Sequence, residues 1–509
     1  MVLTTADFTG FLGFPGFQDF KQKKVLRKPD AKKPPRILRF ERIPGTPLRF
    51  QKGLGREDLA MHPHEELSPI CMPTLYVEKG KSVTYKKKKT KTGEVTKSVG
   101  DDAVERSKYL GLLGEMAIVV LDQETESWDA VKAIICSGVK VRLEGVATLD
   151  DALTFLDSGV TKIVLPASTW DAKEACDITG KYKNRFVALF SSEGAEVDTK
   201  LMKKISAHVS EVLVEFESLA ETVDSKSKTF ADLEAVAAAS KQLQLAVGVT
   251  GSIGSVEEIV AIEKLGLRPQ IGDALATGKL EVADLIVPFI RTDRQDKLFT
   301  TVVVDQQHVA LGLVYSNEES VRAAMRKRAG IYHSRRRGLW HKGLSSGATQ
   351  DLHEVCLDCD RDALRFVVSQ NGVGFCHLNR YTCWDGDRGV GHLFRTLLER
   401  KTNPVENSYT NKLLNKPEML NAKMLEEASE IIEAKERDHV AAEAADVLYF
   451  ASVICTRAGV SFKDVENHLD RRSRRVRRRK GAAKPYAVEM LRKANSKKKQ
   501  EEESTTTTT

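Results

Sequence analysis

Met116-Ala117-Ile118-Val119-Val120-Leu121 is a wholly apolar run, and beyond an amphipathic stretch Lys140-Val141-Arg142-Leu143 is a second short strand-like run. Similar runs return at 162–165, 186–190, 211–214 and 245–249. Runs of this length read as buried strands. Between them, 148–158 and 255–265 carry apolar residues at helical spacing. Strands alternating with helices predict a parallel sheet, open or closed.

The pattern changes on both sides of this region. Residues 1–104 are rich in Pro, Gly and Lys and read as a basic, largely irregular extension, so the α/β region is set at 105–292. After Asp293, strands are expected at 301–304 and 309–315 (a hairpin), 352–357 and 363–370, with a helix over 317–328 capped by Ser316 or Asn317. This α+β segment is set at 293–392. From Val390 the reading is helical, with breaks near Pro404, Pro417 and Gly459, giving an all-α segment at 393–483 and a disordered tail at 484–509. The expected fold class is thus multidomain, in agreement with 509 residues at roughly 150 per domain.

Composition narrows the function classes. Hydrophobic residues are 41% and charged residues 29%, ordinary for globular protein and against wholesale disorder or collagen. No run approaches 18 consecutive apolar residues and no leader pattern opens the chain, so the expectation is a cytoplasmic protein with no membrane partner. The net charge of +8 is concentrated near the start, including Lys86 to Lys89, and in the block from Arg471 to Lys480. Of eight cysteines, four lie between 356 and 383, a cluster that reads as metal or catalysis before disulfides.

Within that cluster, Asp358-Cys359-Asp360-Arg361-Asp362 is followed by Cys376-His377 and Cys383. Thiolates suit zinc, and closely spaced carboxylates suit magnesium. Cys356 and Cys359 are an odd number apart in what reads as a strand, so they face opposite ways. Cys359, Cys376 and Cys383 leave a fourth zinc position for water. Structural zinc, buried free thiols and a solvated acidic turn are the competing readings. Like charges packed that tightly favour a cation.

These residues, with Ser334-Arg335-Arg336-Arg337-Gly338-Leu339-Trp340-His341-Lys342-Gly343 and Ser345-Ser346-Gly347 before them, resemble phosphoribosyl-AMP cyclohydrolase over about 293–385. The resemblance implies an α+β fold and a homodimer that shares its zinc site between chains. It implies zinc on Cys359, Cys376 and Cys383, magnesium on Asp358, Asp360 and Asp362, and His377 as proton shuttle. Arg335, Trp340, His341 and Lys342 would bind substrate. Water activated by zinc would attack C6 of the adenine ring and open it. Tyr381-Thr382-Cys383-Trp384 departs from the family's common Arg-Ser-Cys-Phe without removing a ligand.

Downstream, Glu426-Glu427-x-x-Glu430 and Glu443-x-x-Asp446 set carboxylates three apart, hence on one helix face. Ile431, Ile432, Val440, Ala444, Val447, Leu448, Phe450, Ala451 and Ile454 are the expected bundle core. With Ser408-Tyr409-Thr410 ahead of it, this stretch resembles phosphoribosyl-ATP pyrophosphatase over about 393–480. That implies Glu427, Glu430, Glu443 and Asp446, supported by Glu426, as magnesium ligands, with Glu427 and Glu430 catalytic, for α,β cleavage of a triphosphate.

Taken in order, the two resemblances suggest the fungal multifunctional histidine-biosynthesis proteins, here ending at Thr509 with no room for a histidinol dehydrogenase. The substrates would be phosphoribosyl-ATP and then phosphoribosyl-AMP. Val249 to Ser255 and Gly272 to Leu280 resemble the last two phosphate loops of the barrel isomerase that follows in that pathway. Gly251 and Gly254 would admit a phosphate, and Asp122 is the one plausible strand-end aspartate, so a degenerate, inactive barrel-like domain is expected. The rival from another class is a basic, zinc-containing nucleic-acid binder. It is less favoured because no aromatic residues interleave with the arginines.

Overall fold

The computed structural model describes residues 69–86, 95–191, 199–219, 222–384 and 386–477, with isolated positions between 481 and 492. The expectations for residues 1–68, for Lys87 to Lys89, for Arg478 to Lys480 and for the tail beyond 492 lie outside the described residues.

Eight parallel strands close into a barrel. They are β1 (Met72–Glu78) and, after a hairpin of β2 (Lys81–Lys86) and β3 (Val95–Asp102), β4 (Glu115–Val120), β5 (Lys140–Glu144), β6 (Lys162–Pro166), β7 (Phe186–Ser191), β8 (Glu211–Glu215), β9 (Ala246–Thr250) and β10 (Arg268–Ile271). Met72 opposite Gln270 and Pro73 opposite Ile271 join the last strand to the first. The extension read as irregular to 104 therefore contains the first barrel strand and a hairpin, and the barrel begins at residue 72. Both closing strands carry a proline, Pro73 and Pro269, which lacks a ladder donor and masks a strand in the sequence.

Side chains alternate across the barrel wall. Leu75, Ile118, Leu143, Ile163, Ala188 and Val214 face the surrounding helices in one large core. Val164, Val187 and Leu213 form a separate inner cluster. Beside them sits a buried ion group: Glu211 lies 2.5 Å from Arg142 Nη1, 2.6 Å from Lys162 Nζ and 3.1 Å from Arg268 Nη1.

The α+β domain holds a four-stranded sheet ordered β12-β11-β16-β15, built from β11 (Phe299–Asp305), β12 (Ala310–Ser316), β15 (Gln350–Leu357) and β16 (Ala363–Gln370). β13 (Ile331–Ser334) pairs with β14 (Gly338–His341) beside it. The helix Glu318–Lys327 starts at an Asn317–Ser320 capping box, as the cap residue predicted. Val303, Met325, Tyr332 and Phe366 belong to the same core as the barrel. Arg322–Asp284, Arg326–Glu281 and Arg361–Glu263 pairs line the junction.

The helices Gly389–Thr402, Tyr409–Asn415, Pro417–Glu433, Arg437–Ala458 and Phe462–Ser473 follow. Their own core is small, with Leu397, Leu413, Leu420, Phe450 and Val453 buried. Of the expected bundle core only Phe450 is buried; Ile432 is 66% and Leu448 50% exposed, and Val440 and Ile454 are exposed too. Helical spacing identifies an apolar face but not what covers it. Arg437–Ala458 has the length and mean hydropathy of a candidate membrane span, although Glu443 and Asp446 interrupt it.

The arginines past the last helix return to the barrel. Asp157 accepts the backbone N–H groups of Val476 and Arg477 and Arg477 Nε, and Arg477 Nη1 reaches Asp150. Arg185 donates to the carbonyl of Arg474. Gly159, at φ +111°, ends the Leu149–Ser158 helix, and a Cβ there would stand 2.7 Å from Arg471 Cγ.

Burial alone would raise the Glu211 carboxyl, but Arg142, Arg268 and Lys162 outweigh it and hold it far below the usual carboxylate range. Its stabilising contribution is therefore present above the unfolded pKa and lost as pH falls through the folded one. Glu211→Gln, which strands three cations, should cost about 3–5 kcal/mol in urea unfolding at neutral pH. The gap from the parent should narrow below about pH 4.

Candidate functional site

Pro417–Glu433 and Arg437–Ala458 are joined only by Ala434, Lys435 and Glu436, so the two helices fold back on each other. One carboxylate oxygen from each of Glu427, Glu430 and Glu443 falls within 4.8 Å of the others. Glu427 is buried, Glu443 half-buried and Glu430 exposed. Glu443 Oε2 is buried without a hydrogen-bond partner, an orphaned acceptor aimed among carboxylates. Burial first, then Glu427 and Glu443, raise both Glu430 and Asp446 above the usual carboxylate range. Such a donor set suits a hard divalent cation.

Two basic side chains escaped the sequence reading. Lys423 Nζ lies 2.9 Å from Glu426 and 3.0 Å from Glu427, and His439 Nε2 lies 3.1 Å from Glu443. Both precede a named carboxylate by four residues on the same helix, the spacing that would have revealed them.

In the sheet domain, Asp358, Asp360 and Asp362 occupy the exposed turn between β15 and β16, with ligand atoms again within 4.8 Å of one another. Asp358 Oδ1 accepts the N–H groups of Asp362 and Ala363, and Arg361 takes a left-handed φ of +68° to make the turn. Asp360, then Asp358, push the Asp362 carboxyl up. Arg361 is anchored to Glu263 of the barrel at 2.7 Å.

Cys376 and Cys383 lie close enough for each thiol to shift the other's acidity. The Leu378 N–H, then Cys383, Arg380 and Lys342, lower the Cys376 thiol; burial and Cys376 raise Cys383. Lys342 is buried, 4.7 Å from the Phe375 ring centroid, and burial lowers its ammonium despite both thiols. His377 is exposed beside Cys376, while Trp340 and His341 are half-buried on β14. Arg335 is exposed and stacks on Tyr315.

Cys359 is exposed on the acidic turn, and among the described residues the close-set ligand groups within one chain are the two carboxylate sets. One chain therefore brings Cys376 and Cys383 together but not all three cysteines. Cys356 is engaged elsewhere: it bonds Glu354 and Arg365, and burial and Glu354 push it up to about 12.

At the barrel's loops, both Asp122 oxygens are taken by backbone, accepting from Lys79 N–H at 2.6 Å and Glu124 N–H at 3.2 Å. The Gly254 N–H donates to Glu258 at 2.6 Å, so an internal carboxylate holds the position expected for a phosphate. A Cβ at Gly251 would stand 2.4 Å from the Phe216 carbonyl, a packing reason for that glycine. Arg471, Arg474, Arg475 and Arg477 contact the barrel, which accounts for much of the basic block without nucleic acid.

Residues 312–385 match the family model for phosphoribosyl-AMP cyclohydrolase, and 390–473 that for phosphoribosyl-ATP pyrophosphohydrolase. The chain is 46% identical over 241 residues to the histidine biosynthesis bifunctional protein his7 of Schizosaccharomyces pombe, covering 47% of this chain and 57% of that one. It is 37% identical over 350 residues to the histidine biosynthesis trifunctional protein of Neurospora crassa, covering 66% of this chain and 37% of that one. It therefore spans only about a third to three fifths of these fungal proteins' length. Against the histidine biosynthesis bifunctional protein HisIE of Prochlorococcus marinus it is 37% identical over 184 residues, 32% of this chain and 83% of that protein.

A carboxyl whose folded pKa is raised destabilises the fold once ionised. In chelator, the helical domain should thus gain stability as pH falls from neutral through the raised pKa values of Glu430 and Asp446. Glu430→Gln should melt higher than the parent in chelator and show a smaller magnesium-induced rise, as read by calorimetry.

Proposed function

The chain belongs to the family of bifunctional histidine-biosynthesis proteins, and from that premise we propose that it catalyses two successive hydrolyses. The helical domain converts phosphoribosyl-ATP to phosphoribosyl-AMP and pyrophosphate, and the sheet domain opens the adenine ring of the phosphoribosyl-AMP. The observation that carries this reading is the match of site to segment. The Glu427, Glu430 and Glu443 cluster falls within 390–473, and the Cys376 and Cys383 pair falls within 312–385.

For the first reaction, Glu427, Glu430, Glu443 and Asp446, with Glu426 beside them, would hold magnesium, which when bound neutralises phosphate charge and polarises the bond to be cleaved. Lys423 keeps Glu426 and Glu427 aimed into the cluster. Glu430 is exposed and less acidic than usual, which suits it to take the proton of an attacking water.

For the second, Cys376 and Cys383 would hold zinc together with Cys359 from a second copy, and zinc there supplies a Lewis acid that makes water nucleophilic near neutral pH. Exposure of Cys359 apart from the other two thiols supports that sharing. His377, free to swing beside Cys376, moves the proton to the departing ring nitrogen. Trp340 and His341 orient the base, Arg335 and Lys342 the phosphate. Asp358, Asp360 and Asp362 would take magnesium, relieving their mutual repulsion. The open apolar surface at Leu425, Ile432, Leu448 and Ile454 supports self-association of the helical domain. The barrel serves as a scaffold without turnover, a role supported by the backbone capture of Asp122 and by Glu258 occupying the Gly254 amide.

The test is incubation of the purified chain with phosphoribosyl-ATP and magnesium and zinc salts, identifying each product in turn. Cys376→Ser should abolish ring opening while pyrophosphate release continues. Glu430→Gln should slow pyrophosphate release by about 10²-fold or more, leaving ring opening of added phosphoribosyl-AMP intact. Both reactions surviving both substitutions would overturn the assignment.

A further inference from the structure

Asp305, at the end of β11, is 2% exposed. Its Oδ1 accepts the N–H groups of Gln307 and Val309 at 2.9 Å each, and its Oδ2 accepts the Tyr381 hydroxyl at 2.9 Å. The cation opposite this buried carboxylate comes from the helical domain. Arg395, on the Gly389–Thr402 helix, sets Nη1 3.4 Å from Asp305 Oδ2 and its guanidinium 3.6 Å from the centroid of the Tyr381 ring. Its Nη2 donates to Asp387, whose other oxygen lies 2.9 Å from His392 Nδ1. Arg395 therefore cannot drift from Tyr381 without breaking a second ion pair.

Tyr381 lies in the loop that carries the two adjacent thiols. Its carbonyl accepts the Phe375 N–H, the Arg380 carbonyl accepts the Cys376 N–H, and the Cys383 N–H donates to Leu311. Thr382 Oγ1 ties the same segment to the Ala310 carbonyl at 2.7 Å. Within the sheet domain the loop is held by these backbone and hydroxyl bonds and by Phe375, which is packed in the core beneath Lys342. The side chain of Tyr381 is instead gripped between Asp305 and an arginine from the next domain.

We propose that Arg395 is a positioning residue for the ring-opening centre, supplied by the neighbouring helical domain. By neutralising Asp305 and covering Tyr381, it fixes the 376–383 loop and with it the spacing of the Cys376 and Cys383 thiols. The proposal rests on the reading of these thiols as zinc ligands. Without Arg395 the carboxylate of Asp305 is buried with no cation in contact among the described residues, and the hydroxyl it holds loses its fixed place. Lysine keeps the charge but neither stacks as a plane nor spans two carboxylates.

The test uses the full chain loaded with zinc. Arg395→Met should release zinc to a chromogenic chelator about 10-fold faster or more, the scale on which groups that orient metal ligands act. The kcat for ring opening should fall with it while KM holds, and pyrophosphate release and the circular dichroism spectrum should match the parent. Arg395→Lys should fall between the two in zinc retention. Zinc retention and ring opening unchanged in Arg395→Met would overturn the proposal. So would a parallel loss of pyrophosphate release and melting temperature, which marks a merely structural residue. Cys376→Ser, run alongside, separates the premise from the inference. If it leaves zinc content unchanged, the zinc reading fails; if it empties the site while Arg395→Met does not, only the role of Arg395 fails.

Discussion

An eight-stranded parallel sheet has two open edges until its last strand meets its first, and here that meeting is a short pairing of β10 with β1. Everything else is hung on the closed cylinder. Closure brings Arg142, Lys162 and Arg268 around Glu211 inside the wall. It also gives the outer helices a continuous surface, and the sheet domain extends that same core instead of building one apart. The acidic turn at 358–362 is steadied in part by the barrel, through Arg361 and Glu263.

The two carboxylate clusters show a common design. Each sets three acids within reach of one another and offsets only part of the repulsion, by backbone N–H groups at Asp358 and by the Lys423 ammonium in the helical pair. The remaining imbalance appears as raised carboxyl pKa values and as the unsatisfied oxygen of Glu443. A cation is the species that removes it.

Much of this was legible in the chain because it is local. The six runs became β4 to β9, the 317–328 helix carries the Asn317 cap, and Glu427 and Glu430, three apart on one helix, meet Glu443 of the next, with Asp446 outside that close set. What was missed depends on distant partners. β1 and β10 carry prolines, and their strand character comes from neighbours far along the chain: β1 pairs with β4 and β10, and β10 with β9. Ile432 and Leu448 sit on a face whose cover is not in the chain's local pattern. The stacking of Arg395 on Tyr381 was likewise hidden, because it joins two segments that share no local pattern. No spacing rule links residues from two domains.

The clasp of Asp157 on the segment at Val476 and Arg477 turns a linear order of domains into a circuit. The chain leaves the barrel near residue 292, passes through the sheet and helical domains and comes home to the helix Leu149–Ser158. A domain strung between two moorings on one barrel keeps little freedom to wander. The distance between the Glu427 cluster and the Cys376–Cys383 pair is then set by the architecture, and not by how far a tether happens to stretch.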